Sequence, residues 1–270
     1  MAWSGSGVGD AGTLRRLVIT DLRRSARRPQ LLAMAALLVV VPPISGILAL
    51  PGYAFDHWMS YFTVMSDSIG LIFPLVVALL TQLRLQDEWS NTWALTTRTR
   101  TGARAYFASR VLVSAVLAAG VFGVQTIVCF AVARATYTDH GYGVPLAGQI
   151  EGRFPFSQLW AVSPALYVLV FCLWVAFVAG TVAAWCTLLT AVIGNKFVAL
   201  AAPLVLWFMA NFGLAVLRLE AFSLPPFRFH ITQQPIWTEL AGWAAIAVVT
   251  AGLSVFVDRR DYQTPGIVRT

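Results

Sequence analysis

Between Phe154 and Asn195 there is not one Asp, Glu, Lys or Arg. An upright helix crosses about 30 Å of hydrocarbon with about 20 apolar residues. These 42 positions are therefore too many for one upright span and barely enough for a hairpin of two. Other uncharged stretches run over 31–50, 111–133, 197–217 and 240–257, and 61–83 is interrupted only by Asp67. Charged residues make up 11% of the chain, against about 25% in a soluble domain, and the mean hydropathy is +0.73. This pattern excludes a water-soluble enzyme, a disordered chain and a disulfide-stapled secreted domain. Cys129, Cys172 and Cys186 all fall inside apolar runs and read as small buried hydrophobes.

Loop charge decides how the long run is divided. With six spans and the N-terminus inside, fifteen of the 19 basic residues fall on the inner side and Arg134, Arg153, Arg218 and Arg228 on the outer. A hairpin turning at Gly180-Thr181 would give thirteen and six, with apolar residues on both sides of a poor turn. The positive-inside rule prefers six. The expected fold is all-α: a polytopic membrane protein with spans over about 31–50, 61–83, 107–133, 164–193, 197–217 and 238–257. Both termini are expected to face the cytoplasm, in the cell membrane. In this setting the basic excess reflects cytoplasmic loops rather than nucleic-acid binding. No signal peptide is expected, because 30 residues precede a first run of full span length.

Residues 1–12 are Gly/Ser-rich and expected to be disordered. Over 13–29, Leu14, Leu17, Val18 and Leu22 share one helical face among Arg15, Arg16, Arg23 and Arg24. This predicts a basic amphipathic helix at the cytoplasmic interface; a topology signal that happens to be helical fits equally. Residues 258–270 are expected as a cytoplasmic tail. Trp58, Tyr61, Phe154, Trp237, Trp243, Tyr106 and their aromatic neighbours cluster at span ends and are expected at headgroup level.

The link between spans 2 and 3, about 84–110, is far longer than the 2–8 residues such a connection needs. Asp87 and Glu88 open it, where carboxylates favour a helix N-terminus. Trp89 and Trp93 follow on one face, then Thr96 to Thr101 carries Arg98 and Arg100, and Gly102 is a plausible stop. Two readings stand: a short helix whose Trp and Arg residues press into a groove on another protein, or an interfacial helix with its Trp rings among lipid headgroups.

Chemistry-bearing motifs are missing. There is no P-loop, no His-Glu-x-x-His and no Cys-x-x-Cys, and His57, His140 and His230 all fall in expected outer loops. In-span polar residues are few: Asp67 with Ser68, Gln125, Asn211 and, at the outer start of span 6, Glu239. Asp67, Ser68, Asn211 and Glu239 are candidates to line a path, although bonding between helices serves as well. So sparse a polar set suits an amphipathic or lipid-like passenger better than an ion pore.

The whole arrangement resembles the membrane subunits of ABC-2 type (type V) ABC exporters. The resemblance rests on the basic helix before span 1, the six-span layout and the stretch Gln86-Asp87-Glu88-Trp89-Ser90-Asn91-Thr92-Trp93-Ala94-Leu95-Thr96-Thr97-Arg98, followed by Ser109-Arg110. Glu88 and Thr92 fit the family pattern. Asn91 stands where Gly is usual, no Pro follows Leu95, and Ser109-Arg110 replaces Gly-Lys. The resemblance implies two copies of a separate P-loop ATPase, which would hold ATP and Mg²⁺, while this chain holds no cofactor or metal and is not itself an enzyme. It implies a second membrane subunit, identical or not. It also implies a coupling helix in the ATPase cleft, with Asp87, Glu88, Trp89, Thr92, Trp93, Thr97, Arg98 and Arg100 as its coupling residues, and spans 2 and 5 along the path. The competing classes are a membrane-embedded enzyme acting on lipid or peptide, which would need convergent polar groups at one depth, and a non-transporting scaffold or sensor subunit.

Overall fold

The computed structural model describes residues 8–52, 58–90, 103–137, 156, 159, 162–193, 195–219, 222–224 and 236–261. Regular structure among them is entirely helical: α1 (Val8–Ser25), α2 (Pro29–Ala49) with a 3₁₀ turn at Leu50–Gly52, α3 (Trp58–Gly70), α4 (Phe73–Ser90), α5 (Ala103–Thr136), α6 (Pro164–Val192), α7 (Lys196–Val216) and α8 (Ile236–Asp261).

Local chemistry sets the boundaries. The first helix spans 8–25, not 13–29: it begins inside the stretch expected to be disordered and stops before Pro29, because the residue preceding a proline is driven out of the α region. Pro29 and Pro164 open α2 and α6, where a missing N–H costs nothing. The 42-residue uncharged run contains one continuous helix, α6, with no turn at Gly180-Thr181. Asn195 ends the break after it: its Oδ1 accepts from the N–H groups of Phe197 (3.0 Å) and Val198 (3.3 Å) and caps α7. α7 stops in a Schellman-type turn, with Leu219 N–H donating to Leu214 O at 2.8 Å and Arg218 at φ 58°, a conformation usually left to glycine.

The expected second span is not one helix. Residues 61–83 divide into α3 and α4 at Leu71-Ile72. Pro74 is the reason: it has no N–H to give the Gly70 carbonyl four residues back, and its ring would collide with that carbonyl in a continuous helix. Four described helical segments are long and apolar enough to cross a membrane, Pro29–Gly52, Ala105–Thr136, Pro164–Val192 and Lys196–Val216. Two further apolar stretches, Phe73–Leu83 and Leu240–Phe256, are shorter. The chain is thus a helical, membrane-embedded protein.

α5 and α6 form the spine, packed along their length, with α4, α7 and α8 against α6 and with α1, α2 and α3 against α5. Small residues let the spine close: a Cβ on Gly180 would lie 3.3 Å from the Ala115 carbonyl oxygen, and Gly123 sits over Cys172 and Ala176. At one end of the spine Phe62 stacks on Phe130 with centroids 3.9 Å apart, and Phe171 and Tyr167 meet Phe130 edge-on. Trp58, Tyr61, Tyr106 and Trp243 are buried inside this bundle. They are core residues rather than headgroup anchors, because the helices that carry them turn those faces toward one another.

Candidate functional site

The most constrained polar cluster lies at the opposite end of the spine, where α1, the last turns of α4 and the first turns of α5 meet. α1 is amphipathic with an irregularity: Asp21 occupies the stripe of Leu14, Leu17, Val18 and Ser25, not the arginine side. That stripe packs on α5, so Asp21 and Ser25 are buried, and the Ser25 hydroxyl donates to the Asp21 carbonyl at 2.7 Å. On α4, Thr81, Leu85 and Glu88 recur at helical spacing and face Arg110, Val113, Ser114 and Leu117 of α5 across a small cleft that Leu31 of α2 completes.

Arg110 closes the cluster. Its Nη1 bonds Asp21 Oδ2, and its Nη2 lies 3.0 Å from Glu88 Oε2. The guanidinium also sits 4.8 Å from the centroid of the Tyr106 ring, one turn back on the same helix. All three ionic side chains are about nineteen-twentieths buried. A buried ion pair gains little over an apolar pair of equal volume, but removing one partner strands a charge and costs about 3–5 kcal/mol. The cluster therefore specifies how α1, α4 and α5 are placed more than it adds net stability.

The other polar face of α4 is tied down as well. Gln82 Nε2 donates to the Cys186 carbonyl on α6 at 2.9 Å, and Gln86 Nε2 donates to the Lys196 carbonyl at the start of α7 at 3.2 Å. Cys186 lies in the last two turns of α6, and Lys196 opens α7. The end of α4 is thus held by charge on one side and by amide-to-backbone bonds on the other. Glu88 stands in α4 just before residues 91–102, and Tyr106, Ser109 and Arg110 stand in α5 just after them.

The sequence-derived candidates distribute unevenly. Glu88 is in the cluster, buried. Ser68 is exposed on α3, its hydroxyl turned back to the Met65 carbonyl at 2.8 Å. Asn211 is engaged at both ends of its amide: Nδ2 donates to the Trp207 carbonyl at 2.9 Å, and Oδ1 accepts from Leu224 N–H at 2.8 Å. Trp207 Nε1 donates in turn to the Leu224 carbonyl at 3.0 Å. This clasp folds 222–224 back against α7, and Gly242 of α8 lies so near that a Cβ there would stand 2.7 Å from the Phe222 carbonyl oxygen. Asp67, Asp87, Trp89 and Glu239 belong to helices, but their side chains lie outside the described residues, as do Thr92, Trp93, Thr97, Arg98 and Arg100 entirely. So do His57, His140 and His230. Among the described residues no three metal-ligating side chains come together.

Sequence reasoning missed Asp21 and Gln82, and met Arg110 and Gln86 only as letters of a motif. A signal for Asp21 was present: a lone carboxylate on the apolar stripe of an arginine-rich helix needs a buried cation. Gln82 and Gln86 carry a similar one, two amides spaced i, i+4 near the end of an apolar helix. Comparison with family models, with characterised proteins and with solved structures finds no match to this chain.

Proposed function

We propose that this chain is the membrane subunit of an ATP-driven exporter of the ABC-2 type, and that residues 91–102 are the part a separate motor protein grips. The observation that carries the reading is the bracket around that stretch: Glu88 and Arg110, on its two flanks, form an ion pair, and Arg110 also pairs with Asp21, in a buried cluster. A loose tether needs no such footing. A lever does, because force applied to 91–102 reaches the spans only if its ends are fixed to them. Through Gln82 and Gln86 the same footing touches the last turns of α6 and the start of α7, so a displacement of the α4 end would move two span-length helices at once.

In this reading Glu88 is an anchor inside the membrane subunit. The contacts to the motor fall to Asp87, Trp89, Thr92, Trp93, Thr97, Arg98 and Arg100, residue types suited to interface anchors. The chain has no phosphate-binding loop, so ATP and Mg²⁺ belong to the partner, present in two copies, and a second membrane subunit completes the transporter. The passenger is an amphipathic or lipid-like molecule, the class a path so poor in polar groups accommodates. The protein resides in the cell membrane, with the bracketed end on the motor's side.

The test is co-expression with the P-loop ATPase encoded nearest to it, purification by a tag on this chain, and measurement of ATP hydrolysis in nanodiscs. The expected result is a stoichiometric complex that Trp93→Ala disrupts without loss of the folded membrane subunit. Equal recovery and equal hydrolysis for wild type and Trp93→Ala, or no ATPase bound at all, would overturn the reading.

A further inference from the structure

Arg16 and Arg23 are exposed on the helix face opposite Asp21 and Ser25, Arg15 is exposed beside them, and Arg27 is exposed in the three-residue connection to α2. α2 opens the first membrane-crossing candidate at Pro29. At 3.8 Å per residue, Arg27 lies within about 8 Å of its first Cα, so the C-terminal end of α1 stands at the headgroup edge of that candidate span. An ordinary interfacial helix is held by inserting its apolar face among acyl chains. Here that face is already occupied by α5, and the outward face presents guanidinium groups, with Ile19 and Thr20 exposed among them. A guanidinium fork matches phosphate oxygens two at a time.

We infer that α1 is a binding surface for the phosphates of anionic phospholipids, read by Arg15, Arg16, Arg23 and Arg27, and that Asp21 on its inner face joins this surface to the cluster at the foot of 91–102. Bilayer charge then acts on the position of α1, and through Asp21 on Arg110 and Glu88. The inference does not depend on the motor: it holds for any membrane protein with this corner.

The experiment uses the full chain reconstituted in phosphatidylcholine bilayers doped with spin-labelled lipid. The fraction of motionally restricted label measures the preference for phosphatidylglycerol over phosphatidylcholine. A single guanidinium–lipid attraction of about 1 kcal/mol corresponds to about fivefold in association. Wild type should therefore prefer phosphatidylglycerol at least about fivefold at low salt, and the preference should fall toward unity in about 1 M salt, where screening acts within about 3 Å. The R15Q/R16Q/R23Q/R27Q variant should lose the preference while staying folded, since these side chains are on the surface, and the four Arg→Lys changes should restore most of it. Arg110→Gln, which undoes the contacts to Asp21 and Glu88 and leaves the four outer arginines in place, should keep it within about twofold. Retained preference in the quadruple Gln variant would overturn the proposal. So would loss in both that variant and Arg110→Gln, since docking of α1 would then be the cause. Binding of a labelled oligonucleotide with no lipid preference would assign the arginines to nucleic acid and overturn it too.

Discussion

The two ends of the α5–α6 spine are built from different forces. At one end three charged side chains and two glutamines pin α4 between α1, α5, α6 and α7. At the other, stacked rings of Phe62, Phe130, Tyr167 and Phe171 hold α3 to the spine, and the Asn211–Trp207–Leu224 clasp folds a loop back against α7. Rings tolerate small slides, because edge-on and offset arrangements differ little in energy. An Arg shared by two carboxylates does not, since any slide strands a buried charge. The charged end has two states, made or broken. The aromatic end is compliant. A device that passes a mechanical signal places its two-state element near the input, and the input proposed here is 91–102.

The comparison is tested most severely by Arg110→Ala. Two buried carboxylates lose their shared cation, so the expected cost is about 3–5 kcal/mol, read as loss of thermal stability in detergent. Phe130→Ala at the far end should cost about 3 kcal/mol, yet only Arg110→Ala should raise the reactivity of a cysteine introduced at Asn91. Equal reactivity in both would erase the distinction between the ends. Next comes the clasp: Asn211→Ala removes both amide bonds, one of them to the buried Leu224, for about 2 kcal/mol, whereas Asn211→Asp keeps the acceptor for Leu224 N–H and should lose less. A double-mutant cycle between Asp21→Asn and Glu88→Gln should show coupling of about 1–2 kcal/mol, because both act through one guanidinium; strict additivity would mean the cluster is not a unit. The smallest effect has the opposite sign. Arg218 carries a left-handed backbone at the end of α7, so Arg218→Gly should raise stability by up to about 1 kcal/mol, seen as a modest rise in melting temperature without change at the charged end.

Some features were open to reading without coordinates, and they share a cause. Pro29 and Pro164 mark helix starts, Asn195 marks a cap and the loop arginines mark a topology, because each acts through bonds or charges within a few residues of itself. The division of 61–83 was legible in the same way, since Pro74 and Gly70 stand four apart, but hydropathy averaged over a span hides a local hydrogen-bond defect. The aromatic residues misled for the converse reason: a ring at a span end is equally at home among headgroups or among other rings, and only neighbouring helices distinguish the two.

By itself the sequence determined that this chain is helical and lives in a membrane, because apolar length and scarcity of charge leave the backbone no other way to satisfy its hydrogen bonds in lipid. It also marked the stretch after α4 as too long for a simple turn. Only the tertiary structure decided what stands beneath that stretch. Asp21, Glu88 and Arg110 are separated by 67 and 22 positions along the chain, and nothing short-range connects them. They meet because α1 lies on α5 and α4 ends beside it, a packing chosen by the small residues and rings of the whole bundle. A buried charge is bearable only where such packing brings its counter-charge.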